Sequence, residues 1–356
     1  MTDGDLSIVI PTAFRMRSGE VERRILALIR SGQFAGQEVI VSHGEWADDG
    51  EFLRKIEGTG ARLVVTHLKS ESLPLGLLRN RGAELATAKW LLFWDVDLVP
   101  QVDFLDQLRR CLSRANRPFA IVPCLYATSD GTSQFVSKGA FNAPQAVEAF
   151  YAHRRDLIQH LALNTSTVAI ERTHYFAIGG FDERYLDHGL EDLDLLVRLA
   201  LEDDSLPIPT DLFADERRQS PAFAGGFRSV LNLLSLPVFL DGLVTLHQWH
   251  RRPRRNPYYQ RREKNYALFE ENVRAALRGR PLGTFSEPWQ SLARSNGTLD
   301  SILAVHRFVS RAVPQPKDVS ALFDEVPQFY FHPDRSRRRL VQGLLRVLGR
   351  QKPKNS

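Results

Sequence analysis

The sequence predicts an α/β protein with a mostly parallel central sheet and flanking helices. Short apolar, β-branched runs alternate with segments whose apolar residues have helical spacing, and the runs end at proline, glycine or acidic residues. Strands that alternate with helices form βαβ units, with parallel strands and right-handed crossovers. At 356 residues, 43% of them hydrophobic and 25% charged, the chain suits one large globular domain with or without a C-terminal extension.

The first hundred residues show this alternation most clearly. Each predicted strand is an apolar run bounded by turn-forming residues, and each predicted helix spaces its apolar residues three or four positions apart. The predicted strands are 6–12, 38–42, 61–68 and 90–95, and the predicted helices are 21–29, 52–56 and 77–88. This half is therefore expected to bind a nucleotide in the doubly wound manner.

The rest of the chain is less regular. Acidic residues open the segment that begins at Glu191 and Arg198 follows later, a polarity that the helix dipole favours. Segment 205–228 is rich in proline, glycine and alanine, so we expect a loop there. The predicted strands are 119–126 and 165–170, and the predicted helices are 104–112, 142–163, 191–199 and a stretch beyond 260.

The stretch 90–100 carries the strongest chemical signal. Its apolar run ends at Asp95 and Asp97, which places two carboxylates at the carboxyl end of a central strand, where open α/β sheets bind ligands. Carboxylate oxygens suit a hard divalent cation such as Mn²⁺ or Mg²⁺. An aspartate at the end of a strand also caps turns, so the pattern by itself leaves both interpretations open.

Charge and cysteine content bear on partners and compartment. Two cysteines form no disulfide framework, and no signal segment precedes the first predicted strand, so we expect a cytoplasmic protein. The most apolar stretch is 230–244, and because polar residues interrupt it, we expect no membrane-spanning helix there. The net charge is +5, and arginines cluster in 250–262 and 335–350, which predicts anionic partners at two places.

Six segments, in this order, resemble known glycosyltransferase motifs. Segments 6–12, 79–82 and 93–100 resemble family 2 glycosyltransferases of the GT-A fold, a Rossmann-like α/β fold. A second group is similar to the C-terminal module of galactosyl- and N-acetylgalactosaminyl-transferases, found in animal β1,4-galactosyltransferases and in bacterial capsule and chondroitin-type polymerases: 178–183, 191–194 and 247–250. The resemblance implies a GT-A domain over 1–262, with halves 1–100 and 101–262, and a helical, basic extension over 263–356.

The resemblance also implies a cation site. Asp97 is then the main carboxylate ligand, Asp95 contacts the ribose or the metal through water, and His250 completes the metal shell with His247 as a second candidate. Imidazole beside carboxylate favours Mn²⁺ over Mg²⁺. Taken alone, the two histidines also suit a hydrogen-bonded pair beside Trp249.

Catalytic roles follow from the same resemblance. Transfer of a sugar needs a base within reach of the acceptor hydroxyl, and Asp192 matches the second acid of the family's Glu-Asp pair. Glu191 is expected to hold sugar hydroxyls, and Asp194 to cap its helix. The residues expected to contact the nucleotide sugar are Pro11, Thr12, Arg15, Glu45, Arg79, Asp95 and Gly180.

Two segments depart from the family pattern. The second strand ends in 42–45, where Glu45 replaces the usual acid that contacts uracil, and 187–190 replaces a Trp-Gly-Gly motif. The expected function is inverting, metal-dependent transfer from a UDP-sugar of Gal, GalNAc or GlcNAc type to a glycan or lipid-linked acceptor in bacterial surface polysaccharide synthesis. The alternatives are a retaining transferase of the same fold and a non-catalytic protein that binds glycan or nucleic acid. Under the expected function the protein has no nucleic-acid partner.

The basic end of the chain leaves two interpretations open. Leucines at 340, 344, 345 and 348 share one helical face among arginines, which suits an anionic membrane surface. A helix packed on the domain with solvated arginines fits the same pattern. The first interpretation predicts peripheral attachment to the inner face of the cell membrane.

Overall fold

A computed structural model describes residues 4–14, 18–46, 49–114, 117–204, 206, 208–215, 224–251 and 262–283. Arg15 and the predicted basic amphipathic tail lie outside these residues.

The described residues form ten helices and twelve strands. The helices are α1 Ser18–Arg30, α2 Gly50–Glu57, α3 Leu75–Leu85, α4 Phe104–Arg114, α5 Ser129–Phe135, α6 Ala143–Tyr151, α7 Arg172–Ala177, α8 Glu191–Leu201, α9 Phe227–Leu240 and α10 Arg262–Ala276. The strands are β1 Leu6–Ala13, β2 Glu38–Glu45, β3 Arg62–His67, β4 Trp90–Phe93, β5 Leu98–Pro100, β6 Phe119–Ile121, β7 Cys124–Ala127, β8 Val136–Ser137, β9 Ala140–Phe141, β10 Ile158–Ala162, β11 Val168–Glu171 and β12 Thr245–His247.

The central sheet has six strands in the order β3-β2-β1-β4-β11-β6. Strands β1 to β4 are parallel, while β11 runs antiparallel to both of its neighbours. The α/β prediction with a mostly parallel sheet is confirmed. Fully buried Val9, Ile40, Leu91 and Phe93 supply its core on one face. The carboxyl ends of β1, β2 and β4 therefore meet at one edge, beside the turn that carries the two aspartates.

A second sheet, of order β10-β7-β12-β5, lies next to that edge. The sequence predicted one strand over 119–126, and this prediction is wrong: β6 belongs to the central sheet and β7 to the second. Pro123 separates them, because proline has no N–H to continue a ladder. Its carbonyl oxygen instead accepts a hydrogen bond from the Thr245 backbone at 2.9 Å, which starts the pairing of β7 with β12.

The helix predicted over 142–163 is also wrong in its second half. Helix α6 ends at Tyr151, and His153 then adopts a left-handed backbone conformation with φ of 53°. That conformation stops a right-handed helix. The chain reverses and forms β10, which pairs antiparallel with β7. The apolar spacing of 142–163 therefore does not reveal the turn after α6, which the pairing of β10 with β7 stabilises.

Helices α8, α9 and α10 share the core of the central sheet. Phe269 and Val273 of α10 are fully buried, and Phe269 packs against Phe227 of α9 with ring centroids 4.8 Å apart. Residues 262–277 therefore pack with the core that precedes them, and the remainder of the predicted extension beyond 283 lies outside the described residues. Within the described part of the chain, no helix combines the length and apolarity needed to cross a membrane.

Candidate active site

The turn between β4 and β5 carries Asp97, and β12 lies directly beside it. β5 pairs antiparallel with β12, with Leu98 opposite His247, and the Gln248 backbone N–H donates to the Asp97 carbonyl oxygen at 2.8 Å. This register brings His247 and His250 to the aspartate. One side-chain ligand atom from each of the three residues lies within 4.8 Å of the others, and His250 Nε2 is 3.2 Å from Asp97 Oδ2.

These three side chains fit a divalent cation. Asp97 and His250 are both buried, with exposed fractions of 9% and 8%. His250 Nδ1 lies 3.3 Å from the Arg251 carbonyl oxygen. When Nδ1 donates to that carbonyl, Nε2 and Asp97 Oδ2 face each other as two acceptors, which a shared cation stabilises. One carboxylate oxygen with two imidazole nitrogens suits Mn²⁺ better than Mg²⁺.

An aromatic stack fixes the plane of one of these imidazoles. The Tyr126 ring on β7 lies between His247 and His160, with ring centroids 4.3 Å and 4.5 Å apart and both interplanar angles 14°. The stack runs across three neighbouring strands of the second sheet. Sequence reasoning missed Tyr126, because the contact depends on the pairing of β7 with β12.

Asp95 belongs to a second, adjoining network rather than to the compact group of ligand atoms. Its Oδ1 accepts from Arg79 Nη2 at 3.0 Å, and its Oδ2 accepts from the Ser166 hydroxyl. Arg79 also donates to Glu191 Oε1 at 3.2 Å and is only 1% exposed. Burial disfavours the charged guanidinium, but the carboxylates of Asp95 and Glu191 outweigh that effect and raise the pKa of Arg79 above its ordinary value.

The predicted catalytic acids lie in the first turn of α8. Glu191 is buried, whereas Asp192 is half-buried and its Oδ1 accepts from the Leu193 backbone at 2.9 Å. Leu190 precedes them with φ of 78°. The side chain of Asn265 on α10 holds this approach by donating to two backbone carbonyls of segment 186–189, at 3.1 Å and 2.9 Å.

The chain matches the family model described as glycosyltransferase-like family 2 over residues 7–275. The chain belongs to this family. The matched span contains every site residue predicted from the sequence. The mixed α/β architecture, with a mostly parallel central sheet and flanking helices, is that expected of the GT-A fold. A search of curated proteins gave no match.

Among solved structures, the chain of this glycosyltransferase is similar to three distant proteins. The first is a mannosyltransferase from Pyrobaculum calidifontis in complex with GDP-Man and Mn²⁺. The match covers 99% of the present chain and 89% of the mannosyltransferase, at 13% sequence identity and a TM-score of 0.43. The match to residues 1–349 of S. aureus TarS covers 86% of the present chain and 73% of TarS 1–349, at 13% identity and a TM-score of 0.40. The third is glucosyl-3-phosphoglycerate synthase from Mycobacterium tuberculosis in complex with Mn²⁺ and UDP-Glc. The match covers 55% of the present chain and 64% of the synthase, at 16% identity and a TM-score of 0.33.

Three of the residues that this glycosyltransferase was predicted to use for the nucleotide sugar, Pro11, Thr12 and Glu45, lie at the ends of β1 and β2. Pro11 and Thr12 pair with the neighbouring strand β2, and the buried Thr12 hydroxyl has no hydrogen-bond partner among the described residues. Glu45 accepts from the Asp49 backbone N–H at 3.1 Å and lies 3.0 Å from His67 Nδ1. Arg15 lies outside the described residues.

Gly180, which was predicted to contact the nucleotide sugar, lies against the side chains of Asn80 and Tyr175. Its φ is 62°, and an added Cβ would lie 2.9 Å from Asn80 Oδ1 and 3.0 Å from the Tyr175 hydroxyl. At Gly179, whose φ is also positive, nothing lies within 4 Å of an added Cβ. Close packing therefore requires glycine at position 180, where a side chain would displace Asn80.

The pKa of Glu191 predicts a pH dependence of stability. Burial raises the pKa of Glu191 to about 7, with Asp192 adding to the effect and Arg79 opposing it. The folded state therefore holds a proton that the unfolded chain releases at lower pH, so this group makes folding less favourable as pH rises through that interval. Glu191→Gln removes this titration. We therefore expect the unfolding free energy of Glu191→Gln, minus that of wild type, to increase by roughly 1–3 kcal/mol as the pH is raised from about 5 to about 8. Urea unfolding at both pH values measures it, and a constant difference between the two proteins would contradict this assignment.

Proposed function

We propose that this chain is an inverting, divalent-metal-dependent glycosyltransferase that uses a UDP-sugar of Gal, GalNAc or GlcNAc type. The acceptor is a glycan or a lipid-linked glycan in bacterial surface polysaccharide synthesis. One observation carries the proposal: Asp97, His247 and His250 converge beside the Arg79 network.

The leaving group explains why such a convergence is useful. Transfer of a sugar releases a nucleoside diphosphate with high negative charge, and a divalent cation neutralises that charge when bound. Asp97, His247 and His250 would hold the cation at the carboxyl edge of the sheet. Pro11, Thr12 and Glu45 lie along the same edge, at the ends of β1 and β2, where the nucleoside is expected to bind.

The Arg79 network supplies a rigid frame between the donor and acceptor sides. Arg79 joins Asp95, which follows β4, to Glu191, which begins α8. Because the guanidinium stays charged and buried, it fixes both carboxylates relative to each other. Asp192, the half-buried neighbour of Glu191, is then available to take the proton from the acceptor hydroxyl. One base is sufficient for inversion.

A panel of nucleotide sugars tests this function. Purified full-length protein is incubated with UDP-Gal, UDP-GalNAc, UDP-GlcNAc, UDP-Glc and GDP-Man, with Mn²⁺ or with EDTA, and nucleotide release is measured. We expect release from a UDP-sugar with Mn²⁺ and none with EDTA, and an acceptor product whose anomeric configuration is inverted relative to the donor. Equal release with EDTA would contradict metal dependence, and a retained anomer would establish the retaining alternative.

A further inference from the structure

Arg24 occupies a position in α1 that an arginine rarely occupies. It shares the buried helix face with Val21, Ile25 and Leu28, and its exposed fraction is only 8%. A charged side chain on an apolar helix face needs partners that offset the cost of burial. The partners of Arg24 therefore identify its role.

Those partners lie on the two chain segments that carry the cation ligands. Arg24 Nη1 forms an ion pair with Asp97 Oδ1, and Nη2 donates to the Trp249 carbonyl oxygen at 2.8 Å. Trp249 immediately precedes His250. Helix α1 thus contacts both segments through one planar guanidinium.

We propose that Arg24 is a positioning residue that assembles the cation site, an inference that rests on the proposed function. Its ion pair holds Asp97 Oδ1, and Oδ2 then faces His250 Nε2 at 3.2 Å. Its hydrogen bond to Trp249 sets the backbone from which His250 projects. Arg24 therefore fixes which carboxylate oxygen, and which orientation of the imidazole, meets the cation.

The positive charge of Arg24 acts in the opposite direction, since it repels a nearby cation. Glu20, one helical turn earlier, offsets that charge, because its Oε1 lies 2.6 Å from Arg24 Nη2. The guanidinium is thus shared among two carboxylates and a carbonyl oxygen. Positioning is therefore expected to outweigh repulsion, so that removal of Arg24 weakens cation binding.

Direct titration with Mn²⁺ alone tests this inference. Free Mn²⁺ is followed by electron paramagnetic resonance for the full-length wild type, Arg24→Met and Arg24→Lys. Residues that orient metal ligands typically contribute a factor of about 10–100 to affinity, so we expect R24M to bind Mn²⁺ at least about tenfold more weakly. R24K keeps the charge but has a single nitrogen in place of the fork, and we expect it to lose roughly threefold.

Arg117→Met is the matched control, because Arg117 also forms an ion pair with an aspartate, Asp203, and neither residue belongs to the candidate site. It should bind Mn²⁺ as wild type does. A merely structural role for Arg24 would lower the unfolding midpoint of R24M and leave the Mn²⁺ affinity of the folded protein unchanged. If R24M binds Mn²⁺ within twofold of wild type, or more tightly, the inference is overturned; if R24M does not fold, an R24K affinity equal to wild type overturns it. A wild type that binds no Mn²⁺ overturns the proposed cation site itself.

Discussion

Replacement of Asp97 by alanine is expected to abolish metal-dependent turnover while the fold persists. Asp97 supplies the single carboxylate of the ligand group, and its ligand atom lies within 4.8 Å of those of His247 and His250. A metal that stabilises a leaving group contributes several kcal/mol to the transition state, so the rate should fall by roughly a factor of 10³ or more. Nucleotide release with saturating Mn²⁺ measures the effect.

Asp106→Ala is the control for this change. Asp106 lies exposed on α4 and pairs with Arg109. It should retain wild-type turnover, and both variants should show the circular dichroism of the wild type. Full activity of Asp97→Ala would refute the assignment of Asp97 as a metal ligand.

Asp192→Asn is expected to retain UDP binding and to lose transfer. Asparagine preserves the shape of the side chain and its hydrogen bond to the Leu193 backbone but accepts no proton. General base catalysis typically contributes a factor of about 10²–10⁴, which is the loss expected in kcat. Calorimetry with UDP and Mn²⁺, together with transfer kinetics, separates binding from chemistry.

Asp194→Asn provides a contrast on the same helix. The Asp194 carboxylate is fully buried and forms an ion pair with Arg198 at 2.8 Å, while Arg198 donates to the carbonyls of Ile178 and Gly180. We expect this change to lower the unfolding midpoint and to leave kcat per folded molecule nearly unchanged. Wild-type turnover by Asp192→Asn would exclude Asp192 as the base.

Local sequence patterns were sufficient to locate the helices and strands of the first part of the chain. Strands β1 to β4 and helices α1 to α4 lie within a few residues of their predicted bounds, because each is a short segment with a clear apolar pattern. Patterns failed at Pro123, where the chain changes sheets, and at His153, where a left-handed residue ends α6. Both events are set by pairing with β12 and β7, which no local window contains.

The geometry of the candidate site also depends on strand pairing that local sequence patterns do not reveal. Asp97 and His250 are visible in the sequence as chemical types, but the register of β5 against β12 brings them together. The sequence identifies Arg79 only as an expected contact of the nucleotide sugar, and its burial between two carboxylates depends on tertiary structure. Arg24 did leave a signal, since it falls on the helix face of Val21, Ile25 and Leu28, where an arginine needs a buried partner. The identity of that partner depends on tertiary structure.

The proposed function requires one cation to be held jointly by Asp97, His247 and His250. Pulsed electron paramagnetic resonance of Mn²⁺ bound to the full-length protein detects directly coordinated imidazole nitrogen. We predict ¹⁴N couplings in the wild type, a weaker signal in His247→Ala and in His250→Ala, and no bound Mn²⁺ in the double variant. Bound Mn²⁺ without any ¹⁴N coupling in the wild type would contradict coordination of the cation by His247 and His250.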